Sequence, residues 1–290
     1  GTEDTIVSDT SWKVRKSSIV FNDEYLGETF DARADDEEWH DAVERKAPAG
    51  ELCASYAPLD KVVETIRPVS LTRTGEGWEA DFGKEISGWI RSRGVKGKRG
   101  DTLTVRYISE SPVGRQRYIF GDGKCDDYAP KFTWYVFRKA VISGADMSEE
   151  NVIAEVVNTD VKADSEFISS NILLNQINAI WRRSFEDNLH GGTMSDCPHR
   201  EKSPYTGDGQ VCCETAMANY DCYAFYHKWI RDIRDAQNVE TGYVPNSAPW
   251  QPGCGGGVAW GAAMNIMPWE LYRHFGDIKI LEDNYFAMTE

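Results

Sequence analysis

The sequence predicts a chain that is β first and α after, with β-sandwich domains ahead of a helical barrel. Three observations carry this. Short runs of strand-forming residues separated by turns fill the chain to about residue 160. Apolar residues at helical spacing take over from about 165. Strands and helices do not alternate, which indicates separate domains rather than one doubly wound sheet.

In the β part, the runs Ser17-Ser-Ile-Val-Phe21, Thr102-Leu-Thr-Val-Arg-Tyr-Ile108 and Thr133-Trp-Tyr-Val-Phe137 are rich in β-branched and aromatic residues. Turn residues such as Arg99-Gly-Asp101 and Gly121-Asp-Gly123 sit between them, a pattern that suits a sandwich. Beyond it, Ile168, Ile172, Leu173, Ile177, Ile180 and Trp181 share one helical face. Val211 to Ala236 and Trp260 to Phe275 read the same way, with loops rich in Gly, Pro and Trp between them. Long helices joined by elaborate loops suit a barrel whose loops build a site at one end.

Composition narrows the function. A net charge of −15 argues against a nucleic-acid partner, which would need clustered Lys and Arg, and favours neutral partners such as sugars. The longest uncharged stretch, Thr241 to Trp269, is broken by Gly and Pro and is no membrane helix, so no membrane partner is expected. Seven cysteines contain no CxxC, which argues against a zinc ribbon and for free, mostly buried thiols. His190, His199 and His227 lack HExxH pairing, the glycines at 253–257 are not followed by GKS or GKT, and Ser195 and Ser203 lack a GxSxG elbow. No metal and no cofactor is expected.

The chemistry concentrates in Asp196-Cys-Pro-His-Arg-Glu-Lys-Ser-Pro-Tyr-Thr-Gly-Asp208, a loop stiffened by Pro198 and Pro204. Asp196, Glu201 and Asp208 can converge on a ligand, and an ionised carboxylate accepts hydrogen bonds from sugar hydroxyls. A general acid must hold its proton near neutral pH, so its pKa must be raised by neighbouring anions or burial. Glu201 stands between the two aspartates, with Tyr205 close by. Arg200 opposes the rise unless it points elsewhere, for instance at Asp196. The plainer alternative is a salt-bridged loop of no catalytic role. The next loop offers Tyr243, Trp250 and Trp260, whose rings can stack on sugar C–H faces. The core is the commoner fate of Trp. For Trp250 the two readings balance, and for Trp260 the core is favoured.

Asp196-Cys-Pro-x-Arg-Glu201 with Thr206-Gly-Asp208 resembles the signature of bacterial alpha-L-rhamnosidases, glycoside hydrolase family seventy-eight. Upstream, Ile19-Val-Phe-Asn-Asp-Glu-Tyr-Leu-Gly-Glu-Thr-Phe-Asp-Ala-Arg33 is similar to the end of that family's N-terminal β domain. Pro68-Val-Ser70 and Asp81-Phe-Gly-Lys-Glu-Ile-Ser-Gly-Trp89 are similar to its central sandwich. The resemblance implies residues 1–45 as the end of an N-terminal β-sandwich, 46–160 as a central sandwich and 161–290 as the first part of an (α/α)6 barrel, left incomplete. It implies inverting hydrolysis of rhamnosides. Glu201 would be the general acid, with Asp196, Arg200, Tyr205, Asp208, Trp250 and Trp260 on the sugar.

Two substitutions depart from the family pattern: Lys202 stands for the usual Arg and Tyr205 for the usual Trp, in a loop one residue shorter than many members have. The family's base would lie beyond Glu290, so the chain reads as a fragment and is expected to be nearly inactive alone. Glu214 and Glu270 read as solvent-facing or structural. Two other readings compete: a carbohydrate-binding protein without catalysis, and a glycosidase of another sugar on the same scaffold.

Overall fold

The computed structural model describes residues 3–50, 52–110 and 114–290, without the side chains of residues 35 and 36. Its β part contains β1 (Lys13–Val14), β2 (Ile19–Asp23), β3 (Gly27–Asp31), β4 (His40–Asp41), β5 (Asp60–Ile66), β6 (Ser70–Thr74), β7 (Gly77–Lys96), β8 (Thr102–Ile108), β9 (Arg115–Ile119), β10 (Lys124–Tyr128), β11 (Tyr135–Ser143) and β12 (Val152–Thr159). A short 3-10 helix, Ala32–Asp36, follows β3. The strand pair β13 (Leu189–His190) and β14 (Thr193–Met194) lies among the helices α1 (Ile172–Asp187), α2 (Thr206–Asn219), α3 (Tyr223–Ala236), α4 (Val258–Gly261), α5 (Ala263–Phe275) and α6 (Lys279–Thr289). Among the described residues no helix is long and apolar enough to cross a membrane.

In place of a sandwich of separate sheets, ten strands form one connected curled sheet, in the order β2-β3-β9-β8-β11-β7-β12-β5 with β6 and β10 on β7. The reason is β7. Its 20 residues pair early with β6 and β11 and late with β10 and β12, so both layers share one strand. Its core-facing residues Ala80, Phe82, Ile86 and Ile90 pack with Tyr107, Phe137 and Ile142. The expected division at residue 45 falls after two strands that already belong to this sheet, because β3 runs parallel to β9 from Gly27↔Arg115 to Asp31↔Ile119.

The helical part has its own core around Trp229, Tyr226, Phe225, Met267 and Leu271. Gly209 on α2 makes room there, since a Cβ on it would lie 2.2 Å from the Trp229 ring. The single helical run expected over 211–236 is two helices, because the chain turns at Tyr220–Cys222 between α2 and α3. The stripe on α1 does not pack as its spacing suggests. Ile172, Leu173, Ile177 and Ile180 are all more than half exposed, and the helix is held by Phe185 and Trp181 instead. All seven cysteines are free thiols, with Cys125, Cys213 and Cys222 buried.

Candidate active site

The loop before α2 is closed by two backbone hydrogen bonds, Asp196 N to Ser203 O (3.2 Å) and Lys202 N to Cys197 O (3.1 Å). Lys202 takes a left-handed backbone, φ 51°, which few non-glycine residues adopt. That twist sends neighbouring side chains to opposite sides. Glu201 meets Asp196 and Arg200, while Lys202 turns back toward the sheet. There the Lys202 ammonium donates to the carbonyls of Glu24 (2.6 Å) and Trp134 (2.7 Å) and sits 4.6 Å from the Trp134 ring centroid. Burial pushes its pKa down to about 8. Tyr25 donates its hydroxyl to the Glu201 carbonyl at 2.8 Å, and Trp134 donates its indole N–H to Pro198 O at 3.1 Å. The β2–β3 turn and the approach to β11 thus hold the loop from behind.

On the open side, Asp196, Cys197 and Glu201 each bring one ligand-type atom within 4.8 Å of the others. The Glu201 pKa is raised, chiefly by its hydrogen bond to Asp196 and then by the charge of Asp196. The Arg200 guanidinium, 3.2 Å from Glu201, opposes the rise. Arg200 therefore pairs with the candidate acid itself rather than with Asp196. Oδ1 of Asp196 is buried and has no hydrogen-bond partner among the described residues.

Asp208 lies in the first turn of α2, where the helix dipole favours an anion. Burial nevertheless raises its pKa, and the Asp196 charge adds to this, while a hydrogen bond from Trp260 opposes it. Trp260, expected in the core, is 40% exposed beside Asp208. It gets there because Gly207 has no side chain: a Cβ would fall 2.6 Å from the indole Nε1. Tyr205 adjoins the cluster, its hydroxyl pushed up to about 12 by a hydrogen bond with Cys254 and by burial, with smaller effects from the Cys254, Glu201 and Asp196 charges.

Loop 196–208 is tied to the later loop by Ser203 Oγ donating to Gln251 Oε1 (2.7 Å) and Thr206 Oγ1 donating to Asn246 O (3.2 Å) and Trp260 O (3.1 Å). The structure brings Asp196, Arg200, Glu201, Tyr205, Asp208 and Trp260 together. Trp250 stands apart, lining a cavity whose lining includes none of the three carboxylates. Sequence reasoning missed the supports Glu24, Tyr25 and Trp134, which lie 64 to 178 residues from their loop partners. Glu270, read as solvent-facing or structural, is buried in a pair with Arg273 (2.8 Å), and Glu214 is 66% exposed.

The family model for the bacterial alpha-L-rhamnosidase 6 hairpin glycosidase domain matches residues 162–290, and that for the alpha-L-rhamnosidase N-terminal domain matches residues 1–65. The chain belongs to the bacterial alpha-L-rhamnosidase family. An alpha-L-rhamnosidase of Formosa agariphila is 31% identical over 333 aligned positions, which take in 100% of this chain and 35% of that protein. The structure of an alpha-L-rhamnosidase from Dictyoglumus thermophilum superposes with a TM-score of 0.88 at 31% identity, over 97% of this chain and 35% of that one. The Streptomyces avermitilis enzyme, solved with L-rhamnose, gives 0.89 at 27% identity over 99% of this chain and 30% of that one. The rhamnosidase-family chain therefore spans about a third of the length of these relatives. Its carboxylate loop and Trp260 fall within the matched six-hairpin segment, and the supporting Tyr25 within the N-terminal one.

Proposed function

We propose that this chain carries the general acid and sugar-holding groups of an alpha-L-rhamnosidase that works with inversion. The observation that carries the reading is the close approach of the Glu201 and Asp196 carboxyls, within 4.8 Å of each other, through which the aspartate would help the glutamate keep its proton. Glu201 would protonate the glycosidic oxygen as the bond to the rhamnose carbon breaks. Asp196 and Asp208 would accept hydrogen bonds from ring hydroxyls, with Tyr205 and Trp260 as walls. Arg200 would release Glu201 on substrate binding and turn to the sugar. Inversion also needs a second carboxylate on the opposite face, roughly 6.5–9.5 Å away, to activate water. Neither Glu214 nor Glu270 fits that task. We assign no base within residues 1–290, and little turnover is expected of them alone.

The finer architecture belongs to the same proposal. Helices α1 to α6 would be the first part of an (α/α)6 barrel, in which a further helix covers the exposed α1 stripe of Ile172, Leu173, Ile177 and Ile180.

The test is a panel of aryl glycosides given to the full natural protein, wild type beside Glu201→Gln, with residues 1–290 assayed in parallel. Rhamnoside cleavage should fall by ~10²–10⁴ in the variant, less with a good leaving group. Proton NMR of the first-formed sugar should show the β-anomer. Cleavage indifferent to Glu201 would remove the acid assignment, and an α-anomer formed first would remove inversion.

A further inference from the structure

The other side of the acid loop faces a cavity of about 720 Å³, within the range of small-molecule sites. Lys202 and Pro204 form its wall toward the loop, so it is distinct from the carboxylate cluster and shares one partition with it. Two large rings in its lining are left open, Trp250 at 62% exposed and Phe132 at 63%. Trp134 and His190 also line it, their rings stacked at 4.0 Å with planes 3° apart.

His190 is the informative residue. It is 5% exposed, and its Nε2 lies 3.0 Å from the carbonyl of Val157 and 3.1 Å from Ser87 Oγ. A carbonyl can only accept, so Nε2 carries the hydrogen. Burial holds the ring neutral, with the Lys202 charge contributing, and Nδ1 is then a bare acceptor. That Nδ1 is buried without a hydrogen-bond partner among the described residues, on a ring that lines the cavity. Such an atom calls for a donor, which a ligand in the cavity can supply once the side chains over it part. The charges around the cavity nearly balance, with Glu24 and Asp60 against Lys61, Lys131 and Lys202, which suits a ligand without net charge.

We propose that this cavity is a second carbohydrate site that takes a neutral glycosyl unit, with Trp250 and Phe132 against its C–H faces and a hydroxyl donating to His190 Nδ1. Aromatic faces combined with sparse polar groups are what a pyranose requires, since it offers apolar faces and a rim of hydroxyls. The choice of sugar rests on the proposed rhamnosidase reading. The site itself does not.

The experiment is titration calorimetry of the 1–290 chain with rutinose, cellobiose and maltose, three neutral disaccharides of which only rutinose carries terminal rhamnose. It is run on the Asp196→Asn/Asp208→Asn background, in which the carboxylate site is disabled. At least one disaccharide should still bind, and Trp250→Ala and Phe132→Ala should each weaken it about tenfold or more. Both side chains are largely exposed, and thermal melting confirms that the variants fold. His190→Gln, which keeps a donor toward Val157, should also weaken binding. Binding of cellobiose or maltose but not rutinose would keep the site and count against rhamnose. No binding of any of the three, or affinities indifferent to Trp250 and Phe132, would overturn the proposal. Turnover is not read, so failure of the hydrolase reading leaves this outcome distinct.

Discussion

His190 should make the fold sensitive to mild acid. Burial, with Lys202 nearby, holds its pKa down at about 3 against an ordinary 6.5. The unfolded chain therefore binds a proton at pH 5 that the folded one refuses. From those two values, stability falls by about 2 kcal/mol between pH 7.5 and 5.0 through this residue, and more as pH continues down toward 3. Asp187, two hydrogen bonds away through Ser87, works against it. Burial raises Asp187 to about 6 from 3.8, so its folded form takes up a proton first and gains about 1 kcal/mol over the same window. The wild-type slope alone mixes the two. Chemical denaturation of wild type and His190→Gln at both pH values separates them, because the variant keeps Asp187. Wild type should lose about 2 kcal/mol more than the variant on going from pH 7.5 to 5.0. Equal losses would mean that the imidazole is not held neutral, and would remove the bare Nδ1 acceptor from the cavity as well.

Two further outcomes concern the carboxylate cluster. Asp196→Asn removes the main cause of the raised Glu201 pKa, so the acid loses its proton at lower pH; the alkaline limb of kcat/KM should move to lower pH, and an unmoved limb would show that Asp196 does not set it. Gly207→Ala puts a methyl 2.6 Å from the Trp260 indole, which must retreat by about 0.8 Å to reach ordinary contact at 3.4 Å. A displacement of that size can cost ~10² in rate. The full protein should keep its fold by circular dichroism while kcat/KM drops toward that limit, and an unchanged kcat/KM would remove Trp260 from the sugar site.

The carboxylate loop was legible because its chemistry is local: Asp196, Glu201 and Asp208 lie within thirteen positions, with Pro198 and Pro204 on either side of Glu201, although Asp208 itself falls in the first turn of α2. What surrounds it was not. The place of Trp260 depends on the missing side chain of Gly207, more than fifty residues away, and Trp sequences do not distinguish core from site. Lys202 stood out in the sequence only as a departure from the family pattern. Only its left-handed backbone, which no side-chain pattern announces, turns it to the sheet. β7 was hidden for a similar reason. Gly83 and Gly88 punctuate its sequence like turns, yet the strand runs on through both. The α1 stripe misled in the other direction, because spacing shows which face is apolar and not whether anything covers it.

These supports explain why the β sheet accompanies loop 196–208. A buried ammonium is costly unless its donors are used, and Lys202 uses them on the carbonyls of Glu24 and Trp134 under three aromatic rings. An apolar side chain could fill the same space but would leave the Trp134 carbonyl without this donor and would not fix the height of the loop. The adjacent residue inherits that precision, since the Glu201 carbonyl is itself held by Tyr25. A general acid must meet the leaving oxygen within hydrogen-bond reach. On the proposed assignment of Glu201 as the acid, the tip of the β2–β3 hairpin, 176 residues earlier in sequence, is therefore a structural determinant of where that proton would sit.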